Sequence, residues 1–62
     1  MEVSMDYDMK EMDAKIRVLR QTTQEVLDAA GDIEAVRRNA KRILASVKML
    51  ELSICDLCEL EA

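Results

Sequence analysis

Sixty-two residues carrying thirteen acids and nine bases, for a net charge of −4, suffice for one small domain, since a chain this short buries only about 60% of the surface its unfolded form exposes. Half of the residues are hydrophobic and 35% are charged, a balance too apolar for a disordered acidic tail and too charged for a membrane span. There is no histidine, proline, tryptophan or phenylalanine, and Gly31 and Tyr7 stand alone of their kind; this argues against a turn-rich β-fold and removes the usual general base, imidazole metal ligand and neutral-pH switch. The chain reads as all-α and non-catalytic, with no cofactor.

From the N-terminus, Met5, Met9, Met12, Ile16, Leu19, Thr23, Val26 and Ala30 recur at alternating intervals of four and three. Such a heptad seam predicts an amphipathic helix over about residues 5–30. Between Ala30, Ile33 and Val36 the interval becomes three and three, which shifts the heptad phase. Gly31 suits the left-handed residue that ends a helix, and the Asp32 carboxylate can cap the next one. Glu34 adds a favourable charge in the first turn. A second seam of Ile33, Val36, Ala40, Ile43, Val47, Leu50, Ile54 and Leu57 predicts a helix over about residues 33–59. One continuous rod is the alternative, because a lone interior glycine costs only about 1 kcal/mol relative to alanine.

Each helix would be about 39 Å long at 1.5 Å per residue, so an antiparallel hairpin pairs the seams from end to end. The layers run from Ala30 with Ile33, through Thr23 with Ala40 and Ile16 with Val47, to Met5 with Leu57. Two helices cover such seams on one side only, and burial in so small a chain barely offsets the ordering entropy. A second copy is therefore expected, giving a homodimeric four-helix bundle. Its contacts would come from Met5, Met9, Met12, Ile16, Leu19, Val26, Ile33, Val36, Ile43, Val47, Leu50, Ile54 and Leu57, with Leu44 widening the stripe. Residues 1–13 and 51–62 together carry −8 and residues 14–50 carry +4, so turns at opposite ends of the dimer avoid setting like charges together.

Three features suggest chemistry. Cys55 and Cys58 have CxxC spacing, but they lie in the last turns of a helix beside Asp56, Glu59 and Glu61, where the local field disfavours thiolate. They read as structural, with a thiolate metal site shared between two chains, or redox use, as the alternatives. Arg37, Arg38, Lys41 and Arg42, continued by Lys48, form a basic band able to meet nucleic-acid phosphates. The lack of interleaved aromatics and the acidic net charge make nucleic acid the lesser expectation. Met1, Met5, Met9 and Met12 could offer a soft surface to a partner helix. With an acidic N-terminus and no long apolar run, the expected location is the cytoplasm, away from membranes. The reading is a small helical interaction or regulatory module that self-associates.

Overall fold

In the computed structural model, residues 7–61 are described, with side chains over 7–57. Two helices, α1 (Met9–Ala29, 21 residues) and α2 (Glu34–Glu61, 28 residues), form a hairpin. The boundaries follow from local chemistry. Asp8 is extended at φ −120°, and its side chain accepts a hydrogen bond from the Glu11 backbone N–H at 2.9 Å. That carboxylate satisfies a donor the first turn otherwise leaves unpaired, so α1 begins at Met9 rather than near residue 5. The Met5 layer lies outside the described residues, as does Met1.

Ala30 keeps helical dihedrals, and its N–H donates to the Leu27 carbonyl at 3.3 Å. Gly31 then takes φ +55°, the left-handed conformation that glycine adopts without a Cβ penalty. The Ile33 N–H donates to the Ala30 carbonyl at 3.0 Å and closes the turn. The rod alternative is thereby overturned. Ile33, not Asp32, immediately precedes α2, and its carbonyl accepts from the Arg37 N–H at 3.0 Å. The expected Asp32 cap does not form: its carboxylate makes none of the hydrogen bonds among the described residues.

The core is narrow. Ala40 is 2% exposed and Val47 1%, with Thr23 and Ala30 also buried. Thr23 satisfies its hydroxyl by donating to the Leu19 carbonyl at 2.7 Å. The buried Thr23 and Ala40 agree with the expected small layer. Met9, Met12, Ile16, Leu27, Leu44, Ile54 and Leu57 are half-buried. The hairpin measures 50 × 16 × 14 Å, the proportions of two helices side by side.

The seams do not close wholly on each other, which corrects the layer scheme. One ridge of each seam, including Ile16, Thr23, Ala30, Ala40, Val47 and Ile54, turns inward. The alternate members Leu19, Val26, Val36, Ile43 and Leu50 remain exposed, with Ile33 beside the turn. Two cylinders touch along one line, so a stripe two ridges wide cannot be covered by a single neighbour. Instead the opposite flank closes, bringing Leu27, Leu44 and Glu51 into partial burial.

Candidate functional site

The two flanks of the hairpin differ in chemistry because heptad positions seven apart share a face. On one flank Val26 of α1 and Val36 and Ile43 of α2 line a shallow groove of about 230 Å³ together with Thr22, Thr23, Asn39 and Ala40. Leu19 and Leu50, each seven residues from a groove member, extend it toward the open end. Bordering this face at seven-residue intervals are Thr22 and Ala29 on α1 and Asn39, Ser46 and Ser53 on α2. All are small and uncharged, whereas Lys15 carries a charge at the far end of the α1 border. Further round, Val18 (61% exposed) and Met49 (64%) add apolar area, beside the charged Glu25 and Arg42.

Charge dominates the other flank. Arg20 clamps Glu51 across the two helices, its Nε donating to Oε2 at 2.7 Å and its Nη2 to Oε1. The Glu51 carboxyl is held below its ordinary range chiefly by this hydrogen bond; partial burial opposes the shift, and the positive charge of Arg20 assists it. The same bond raises Arg20. Arg17 pairs with Asp13 one turn away on α1 at 3.0 Å. This clamp is absent from the apolar-seam reading, yet a signal exists: residues 20 and 51 each follow a seam residue and carry opposite charges.

Of the residues expected to make contacts between copies, Val47 is spent inside the hairpin, and Leu44 is half-buried on the charged flank rather than the apolar one. Met9, Met12, Ile16, Ile54 and Leu57 are half-buried. Leu19, Val26, Ile33, Val36, Ile43 and Leu50 are accessible. These six are the accessible members of the expected set among the described residues.

Arg38, Lys41, Arg42 and Lys48 are exposed and Arg37 is half-buried. None of the five takes part in an ion pair or side-chain hydrogen bond among the described residues. Glu25, Asp28 and Glu34 pair with none of them: Glu25 and Asp28 accept from Gln21 and Gln24, each at 3.0 Å. Cys55 is an exposed free thiol, while the Cys58 side chain lies outside the described residues. Among the described residues no group of three or more His, Cys, Asp or Glu is placed to hold a metal ion, and neither helix is long and apolar enough to cross a membrane. No protein-family model, curated protein or solved structure matches the chain.

Proposed function

We propose that this chain is a non-catalytic interaction module whose apolar flank receives a second copy of itself, completing a four-helix bundle. The observation that carries the reading is the row Leu19, Val26, Val36, Ile43 and Leu50, exposed on one flank and bordered mainly by small neutral side chains. Small borders let helices approach closely, and the absence of charge from most of that border avoids a desolvation cost on contact.

Area supports the same occupant. The chain exposes 4889 Å², against about 4,100 Å² for a compact monomer of this mass. That surplus of about 800 Å² goes with an elongated hairpin of 50 × 16 × 14 Å, a shape that a second copy against one flank would make more compact. Among the described residues a monomer would have Ala30, Ala40 and Val47 as its fully buried hydrophobics, with the rest of the seam half-buried or exposed, a thin core against the ordering of so many residues. The two acidic tips favour turns at opposite ends, which separates them.

Light scattering on the full chain with reductant tests this. A mass near twice 7.1 kDa, unchanged by a chelator, is expected. Ile43→Glu should abolish the dimer, whereas Leu52→Glu, at an exposed site off the apolar flank, should leave it intact. A wild-type monomer, or a dimer indifferent to Ile43→Glu, would overturn the reading; loss of the dimer with chelator would transfer it to the cysteines.

A further inference from the structure

We propose that the outer surface of α2 over residues 35–50 binds the phosphodiester backbone of a nucleic acid. This stretch holds five cations, Arg37, Arg38, Lys41, Arg42 and Lys48, and no aspartate or glutamate. The bordering acids do not neutralise it. Glu34 stands four residues before Arg38 without pairing to it, and Glu51 accepts its hydrogen bonds from Arg20 of α1, with Lys48 acting on it only through space. Spare cationic charge is thus gathered on one helix of a chain whose net charge is −4.

Position matters as much as charge. Arg37, Lys41 and Lys48 follow the spacing of Leu44 and Glu51, on the flank away from the apolar groove, while Arg38 and Arg42 continue around the back of the helix. A second copy on the apolar flank leaves this band open, and the band is complete on a single hairpin. The inference therefore does not rest on self-association.

The surface chemistry selects the polyanion. A protein helix needs apolar anchors, because exposed ion pairs contribute little alone. Within the band Leu44 is half-buried by the hairpin, Ala35 and Ala45 are small, and Met49, beside Arg42, is the one large exposed apolar side chain. A nucleic-acid backbone needs no such anchor, since release of its counterions drives binding. From residue 37 to 48 the helix rises about 16 Å at 1.5 Å per residue. One strand of a duplex presents four or five phosphates over about that length, at roughly 3.4 Å each, which matches the number of cations. The acidic ends of the hairpin confine the contact to this middle region.

Fluorescence anisotropy of a labelled 20-base-pair duplex, as DNA and as RNA, titrated with the full chain would test the band. Saturable binding at low salt is expected for at least one duplex, weakening with salt at a log–log slope of about −4 for DNA. Lys41→Gln with Lys48→Gln should weaken binding about tenfold and reduce the slope by about two. Lys41 makes no hydrogen bond or ion pair among the described residues and Lys48 only a through-space attraction to Glu51, and circular dichroism would verify that the double change leaves the hairpin folded. Lys15→Gln, on the opposite flank, should change binding far less. No saturable binding at low salt, binding unaffected by the double change, or binding of poly-glutamate but neither duplex would overturn the proposal.

Discussion

Gly31, Ala40 and Glu51 each tie one side chain to one requirement. At Gly31 the requirement is dihedral: φ is +55°, and a Cβ built there would meet nothing within 4 Å. Gly31→Ala should therefore destabilise through the backbone alone, by about 1 kcal/mol, seen as a lower denaturation midpoint. A rise in midpoint would mean that the turn relaxes into helix. At Ala40, 2% exposed opposite a buried Thr23, the requirement is volume. Ala40→Leu should overpack the layer and cost about 1–3 kcal/mol by chemical denaturation, with no loss if the two helices are free to separate there.

Glu51 joins residue chemistry to pH. Its carboxyl is depressed by Arg20, so the clamp stabilises the fold above the ordinary carboxylate range and the contribution disappears as pH falls through the depressed value. Glu51→Gln should lower the melting temperature near neutrality, and the gap to the wild type should close in strong acid. Because both groups keep contact with solvent, their side chains 50% and 34% exposed, the effect is modest and screened by salt. An equal gap at both pH values would assign the loss to packing rather than to charge.

At the scale of the helices, the heptad intervals locate both elements and the break between them, because hydrophobic period and the left-handed tolerance of glycine are local properties. The ends were less readable. Asp8 and Asp32 are both plausible caps by residue type, but Asp8 is the one that caps, through Glu11. Beside Gly31, the backbone closes on Ile33 instead, with the Ala30 carbonyl accepting from its N–H. Competition between side-chain and backbone acceptors is settled by turn geometry, which residue identity does not specify. The rotation of each helix about its axis was equally hidden. A two-ridge stripe is symmetrical to inspection, and the clamp between Arg20 and Glu51 accompanies closure on one ridge rather than the other.

At the scale of the whole molecule, that rotation makes a two-sided object: an apolar flank lined by Val26, Val36 and Ile43, and a charged flank carrying Arg17, Arg20 and Glu51 with Arg37, Lys41 and Lys48 of α2. If two copies meet by their apolar flanks with turns at opposite ends, Ser46 lies near the middle of α2 on the border of that face and should approach its own counterpart. Ser46→Cys, with Cys55 and Cys58 changed to serine, should then oxidise readily to a cross-linked dimer. Efficient cross-linking to a partner copy bearing Lys15→Cys instead would place the turns at the same end. The intervals of four and three, the break at Gly31 and the acid-free run over residues 35–50 established two helices, their turn and a basic segment, because each depends on neighbours along the chain. Which seam residues are buried, which stay exposed, and that the α2 cations make no ion pair among the described residues emerged only when the helices met, since those outcomes depend on how one cylinder is turned against another.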